Sequence, residues 1–213
     1  ADNPFTDSYV YAYGLRNTQG LVVMDDGSVF SAEHGPNTDD EFQQISSGRN
    51  YGWPDVEGFC ETTYEIQFCA DNNVKEPIIV WTPTIAPSDL IYYENPDFPE
   101  WDNAFLLTIL KDKKLVALKM NAAMDEVVDE THYLTNMFGR LRDICVGPDN
   151  EIYLATNGPF WSNTEPNTHS IIRLKPIVGS ANLIEHSNEN IRVYPNPATD
   201  EVTVKFDSQV SGD

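Results

Sequence analysis

Positive charge is what this sequence lacks most: 13 Lys and Arg stand against 34 Asp and Glu, a formal net charge of −21 over 213 residues. Nucleic-acid binding by counterion release needs a basic face, so that class is excluded. Long apolar runs are missing too. The longest nearly apolar stretch, residues 104–110, is far shorter than the ~20 residues that cross a bilayer, and no basic-then-apolar leader opens the chain. No membrane span is expected, and any export signal lies outside this sequence. Cysteine is scarce, with three residues. Cys60 and Cys69 fall within one polar segment and Cys145 within an apolar strand-like run. The simplest assignment is a Cys60–Cys69 bridge, implying an oxidising compartment, with Cys145 free and buried. A zinc site is disfavoured, because no second pair of Cys or His stands at ligand spacing.

What is present describes a globular chain: 40% hydrophobic and 11% aromatic residues suffice for a core. The acidity serves solubility, or concentrates cations near oxygen-rich loops. Helical periodicity is scarce. Short alternating or apolar runs at 9–13, 21–24, 28–32, 78–81, 105–110, 115–120, 144–146, 152–156, 171–174 and 202–206 are separated by Gly, Pro, Asn and Asp turns. This pattern predicts an all-β fold.

The runs repeat. Asp26-Gly27-Ser28-Val29-Phe30-Ser31-Ala32 through Gly35-Pro36 aligns with Asp149-Asn150-Glu151-Ile152-Tyr153-Leu154-Ala155 through Gly158-Pro159. A further copy begins at Asp102-Asn103-Ala104-Phe105, and the return strand Leu115-Val116-Ala117-Leu118-Lys119 resembles Ile171-Ile172-Arg173-Leu174-Lys175. The step from Asp102 to Asp149 fits the ~40–50 residues of a four-stranded propeller blade. The step from Asp26 to Asp102 is more than half as long again, which places an insertion at about 37–75. About three blades cannot close a ring, since propellers need at least ~4, so a partial propeller over 1–176 is expected, as a fragment. Residues 177–190 read as a linker, and 191–213 as the truncated start of a small β-sandwich domain.

Three segments carry chemistry: Tyr13-Gly14-Leu15-Arg16-Asn17-Thr18-Gln19-Gly20, Glu33-His34-Gly35-Pro36-Asn37-Thr38-Asp39-Asp40-Glu41 and Asn50-Tyr51-Gly52-Trp53-Pro54. With Ala86-Pro87-Ser88, Leu110-Lys111 and Gly139-Arg140-Leu141-Arg142-Asp143 after them, the sequence closely resembles the soluble pyrroloquinoline quinone (PQQ) dependent sugar dehydrogenases, the glucose/sorbosone and aldose dehydrogenase family. The resemblance implies a six-bladed propeller that oxidises an aldose to its lactone by hydride transfer from C1 to PQQ, with Ca²⁺ as a further cofactor and an external electron acceptor. It implies that Arg16, Asn17 and Gln19 meet the quinone side, and that Lys111, Arg140 and Arg142 meet its oxygens and carboxylates. A planar tricarboxylate needs fixed cations, and Arg140 and Arg142 stand at period two on one strand face. The other reading of these cations is that they are solvated or paired with nearby acids, as Asp143 beside Arg142 could be.

The resemblance further implies that the backbone carbonyls of Gly35 and Pro36 hold the catalytic Ca²⁺, and that Glu41 with the backbone oxygen of Tyr51 holds a structural one. A turn after a strand and a surface carboxylate run are the plain alternatives. The family's proton-abstracting His belongs to blades outside this sequence, so the chain alone is expected to be inactive. His34 reads as a site-lining or packing residue, and His132, His169 and His186 as solvated. Thr82, not an aromatic residue, precedes Pro83, with Trp81 before it, as in the broader aldose dehydrogenases. Val193-Tyr194-Pro195-Asn196-Pro197-Ala198-Thr199-Asp200 resembles the opening of a type IX secretion sorting domain, which implies the secretion machinery as a partner and a secreted or cell-surface location. A function of another class, a non-enzymatic secreted propeller binding a protein or glycan, is the alternative.

Overall fold

The computed structural model describes residues 3–158 and 168–176, and the strands at 191–194 and 203–206. Pro159, His186, the linker 177–190 and the motif residues 195–200 lie outside the described residues. Tight turns launch a series of antiparallel strands. β1 (Thr18–Val23), β2 (Val29–Glu33), β3 (Asp40–Ile45) and β4 (Ile79–Trp81) form one sheet in that order. Between β3 and β4 lies a helix, α1 (Thr63–Asn72). β5 (Pro87–Tyr93), β6 (Ala104–Ile109), β7 (Lys114–Met120) and β8 (Val127–Tyr133) form a second four-stranded sheet, and β9 (Arg140–Val146), β10 (Ile152–Asn157) and β11 (Ile171–Leu174) a third. β12 (Ile191–Tyr194) and β13 (Thr203–Phe206) pair with each other.

The repeat in the sequence is the repeat of the sheets. Asp26-Gly27, Asp102-Asn103 and Asp149-Asn150 each lead into the second strand of a sheet, β2, β6 or β10, and the two return strands are β7 and β11. β1 packs on β5 and β5 on β9, so the first strands of the sheets line a common axis in the manner of propeller blades.

Two cores separate the three sheets. Phe30, Ala32 and Phe42 meet Leu90, Phe105, Leu107 and Val116 in one; Leu106, Leu115 and Ala117 meet Leu141, Ile144, Leu154 and Ile172 in the other. β6 is buried on both faces, which is why its sequence is the longest apolar run instead of an alternating one. Phe105 is the wedge of the first core, with ring centroids 4.7 Å from Phe30, 5.0 Å from Phe42 and 5.0 Å from Tyr92.

The structure corrects several expectations. Residues 9–13 are not a strand; only Tyr13 makes an isolated bridge, to Asn50, and Tyr9 is fully exposed. β3, β5 and β8 were absent from the predicted runs, and β3 falls inside the expected insertion, which the structure confines to the stretch between β3 and β4. β3 reads as polar, since Phe42 is its only apolar residue before Ile45, yet it is almost wholly buried. Cys145 is exposed, not buried. The register of β9 against β10 shifts between Leu141 and Asp143, so Leu141 and Ile144 both face inward and Cys145 turns outward.

The Cys60–Cys69 disulfide forms as expected and staples α1, which the strand-only reading did not include. α1 buries none of its residues; its Thr62 side chain caps the Glu65 amide, the Glu65 carboxylate accepts from the Thr62 amide, and Asn73 closes it in the left-handed conformation. A ten-residue helix without packing is marginal. Cys60→Ser with Cys69→Ser should therefore melt α1 and cost about 2–3 kcal/mol, read as lost far-UV helical signal and fast hydrogen exchange at 63–72, with the sheet amides still protected. Phe105→Ala should cost about 3–5 kcal/mol in urea unfolding, whereas truncating exposed Leu21 should cost well under half of that.

Candidate functional site

The antiparallel order places the start of β1, the end of β2, the starts of β3 and β5, the end of β6, the start of β9 and the end of β10 at one end of the sheets. Arg16, Asn17 and Gln19, Gly35 and Pro36, Glu41, Lys111, Arg140 and Arg142 all belong to this end.

Arg16 is held from several sides. Its Nη1 donates to the carbonyls of His34 at 2.8 Å and Gly35 at 3.1 Å, its guanidinium lies 5.2 Å from the Trp53 ring centroid, and its buried Nε has no partner among the described residues. The Arg16 amide donates to Glu33 Oε2 at 3.1 Å, and Thr18 Oγ1 donates to the same oxygen at 3.2 Å. Burial pushes the Glu33 carboxyl above its ordinary value, against these hydrogen bonds. The Asn17 carbonyl receives the His34 amide, and its Oδ1 receives Gln19 Nε2 at 2.8 Å, with Asn17 and Gln19 themselves exposed.

Lys111 Nζ donates to Thr84 Oγ1 at 2.9 Å, Arg140 Nε to the Gly158 carbonyl at 3.2 Å, and Arg142 Nε to Asn157 Oδ1 at 3.1 Å. Arg142 is the extra residue of the β9 bulge, and both arginines reach the end of β10 on either side of inward-facing Leu141. Among the described residues, Arg16, Lys111, Arg140 and Arg142 make no ion pair; those that form involve Lys114, His132, Arg173 and Lys175. Asp143 does not pair with Arg142. Neutral acceptors thus orient four cations without cancelling their charge, in a chain of net charge −21. This donor set fits an anionic, oxygen-rich group.

The fit to a metal rests on backbone oxygens. Among the described residues, no three His, Cys, Asp or Glu side chains gather as ligands. The Gly35 carbonyl already faces a positive group, the Arg16 guanidinium, so a Ca²⁺ ion there would share that oxygen with Arg16. Only glycine fits at 35, because a Cβ would lie 1.7 Å from the Thr38 carbonyl oxygen. Glu41 is buried; its Oε1 accepts from the Gly58 amide at 2.7 Å and, among the described residues, its Oε2 has no partner. Burial, then the neighbouring Glu33 charge, pushes Glu41 up to about 8. Tyr51 lies in the segment that also brings Gly58 to Glu41, with its hydroxyl donating to the Gln44 carbonyl at 2.8 Å. An orphaned buried carboxylate oxygen of this kind is compatible with an oxygen-ligated cation.

The sequence reading missed two side chains at this end. Asp40, taken as one of a run of acids, is 1% exposed, and its carboxylate accepts the amides of Gly35, Ile85 and Ala86. Glu33 is likewise buried, and holds the Arg16 loop. No linear signal separates these acids from Asp39, which is half-exposed. His34 places Nε2 2.6 Å from the Pro87 carbonyl oxygen, a contact that ties β2 to β5, in line with its reading as a packing residue. His132 contacts Glu130 and, like His169, is exposed.

The glucose/sorbosone dehydrogenase family model matches residues 1–160. Aldose sugar dehydrogenase YliI of Escherichia coli is 30% identical over 168 residues, 73% of this chain and 44% of that protein. Quinoprotein glucose dehydrogenase B of Acinetobacter calcoaceticus is 27% identical over 214 residues, 73% of this chain and 45% of that protein. Among solved structures, the PQQ-bound form of aldose sugar dehydrogenase from Streptomyces coelicolor superposes with a TM-score of 0.64 at 28% identity, covering 80% of this chain and 46% of that one. The chain spans less than half the length of these relatives.

Glu41 supplies a test of its environment in metal-free protein. Its folded-state value, about 8, lies above the ordinary 4.5, so between those limits the folded chain keeps a proton that the unfolded chain releases. Stability therefore falls as pH rises through that window. In chelator-treated protein, Glu41→Gln should raise the melting temperature relative to the parent near pH 8 and leave it little changed near pH 5. Parallel curves at both pH values would show that Glu41 is not protonated in the folded state.

Proposed function

The chain belongs to the glucose/sorbosone dehydrogenase family, and from that membership we propose that the protein containing it is a PQQ- and Ca²⁺-dependent oxidoreductase that converts an aldose to its lactone. The observation that carries this reading is the set of four oriented cations, without ion pairs among the described residues, at one end of the sheets of a strongly acidic chain. When bound, PQQ supplies a two-electron acceptor for the hydride leaving C1 of the sugar. Lys111, Arg140 and Arg142 hold its carboxylates and oxygens, each anchored by its neutral partner so that little side-chain freedom is lost on binding. Arg16, Asn17 and Gln19 face the quinone side, and Trp53 under Arg16 limits where that guanidinium can move.

Gly35 and Pro36 contribute carbonyl oxygens to the Ca²⁺ beside the cofactor, and Glu41 with the Tyr51 carbonyl to a structural one. The hydroxyl proton of the sugar goes to a histidine that this chain does not contain, so the chain supplies the cofactor-binding part of the site. The full propeller has six blades, of which residues 1–176 form about three. An external acceptor takes the electrons onward. After a linker at 177–190, residues 191–213 begin a small β-sandwich domain of the type IX sorting class, recognised by the secretion machinery, which places the protein outside the cell or on its surface. The disulfide suits that route.

Reconstitution tests the reading: the intact protein, given Ca²⁺ and PQQ, should develop a quinone absorbance that sugar reduces, and a protein that takes up no PQQ would overturn it. Since a charge-assisted contact is worth about 1.5–3 kcal/mol, Arg142→Ala should weaken PQQ binding at least tenfold by titration. Unchanged affinity would remove Arg142 from the cofactor.

A further inference from the structure

One carboxylate connects the parts of the site that come from different sheets. Asp40 Oδ1 accepts the Gly35 amide at 2.9 Å, and Oδ2 accepts the amides of Ile85 at 2.7 Å and Ala86 at 2.6 Å. The first partner belongs to the loop after β2, in the first sheet. The other two lie just before β5, in the second. Each partner passes the constraint onward. The other side of the Gly35 residue, its carbonyl, faces Arg16 Nη1. The Ile85 carbonyl receives the Lys111 amide, the Ala86 carbonyl receives the Leu110 amide, and Thr84 receives Lys111 Nζ. Ala86 holds φ at 61°, a left-handed conformation unfavourable for a residue with a Cβ and sustained here by these bonds.

We infer that Asp40 is a positioning residue that sets the separation between the Arg16–Gly35 side and the Lys111 side of the cofactor site. The inference rests on the PQQ reading above and deepens it. The geometry requires two acceptor oxygens: three amide donors from two chain segments converge on the carboxylate of a side chain that is itself buried. Asparagine has the same size and shape but turns one oxygen into an NH₂ donor, which must then face either Gly35 N–H or the Ile85 and Ala86 N–H pair. One of the two segments is released in either orientation. The His34–Pro87 contact joins the same two strands, but it reaches neither Gly35 N–H nor the Lys111 segment.

The test is a double-mutant cycle on PQQ affinity in the intact protein, with Asp40→Asn, Lys111→Ala and the pair. Asp40→Asn should weaken PQQ binding at least tenfold. Lys111→Ala should cost at least tenfold in the parent and less than threefold in the Asp40→Asn background, because Lys111 is no longer held in place. Losses that simply multiply would overturn the inference and leave the PQQ reading standing. A parent that binds PQQ while Lys111→Ala costs nothing would strike at the reading itself, and at the inference with it. Should Asp40→Asn fail to fold, hydrogen exchange on the parent decides: PQQ should slow exchange at the Gly35, Ile85 and Ala86 amides together. Slowing at Gly35 alone, or at none of them, would show that the carboxylate does not couple the two sides.

Discussion

The approach of β1 to β5 is the constraint on which the rest of the arrangement depends. Gly20 sits where the two strands meet, and a Cβ there would lie 2.5 Å from the Leu90 Cβ and 2.8 Å from the Leu90 amide nitrogen. No side chain can be accommodated without separating the sheets. With them at this distance, Phe105 fills the space between the sheets further out, and the segments before β1 and before β5 come together at one end. The candidate site thus follows from sheet packing, with the long segment between β3 and β4 laid over it through Trp53 and Gly58.

Charge is organised differently in the cations and the acids of this end. Arg16, Lys111, Arg140 and Arg142 are steered by carbonyl, hydroxyl and amide oxygens, so their charges stay available. The buried acids instead draw their hydrogen bonds mainly from backbone amides. Asp40 is saturated by backbone amides, Glu33 is partly so, and Glu41 keeps one oxygen without a partner. An ion pair between the two sets would have been electrostatically favourable and would have cancelled the charge that the four cations keep. Backbone donors allow the acids to be buried without consuming the cations.

Much of the fold was legible because strand periodicity and turn chemistry are local. The Asp-Gly and Asp-Asn turns with the strands behind them marked β2, β6 and β10, the second strands of the three larger sheets, and the doubly buried β6 stood out as an unbroken apolar run. β3 escaped for a physical reason. Its Asp40 and Glu41 are held by Ile85 and Ala86 just before β5 and by the covering segment that carries Gly58, contacts that no pattern within β3 announces. α1 escaped because its support is a disulfide and its caps, not an apolar stripe.

By itself the sequence determined the all-β class, the repeat, the disulfide pairing and the family, since each rests on neighbours along the chain or on spaced motifs. The tertiary structure alone decided which acids are buried, that Asp40 joins two sheets, that Cys145 faces outward, and that the Arg142 side chain meets Asn157 and not Asp143. Alternation along a strand assigns a residue to a face. What lies against that face, and hence its charge state and partners, is set by segments far away in the chain.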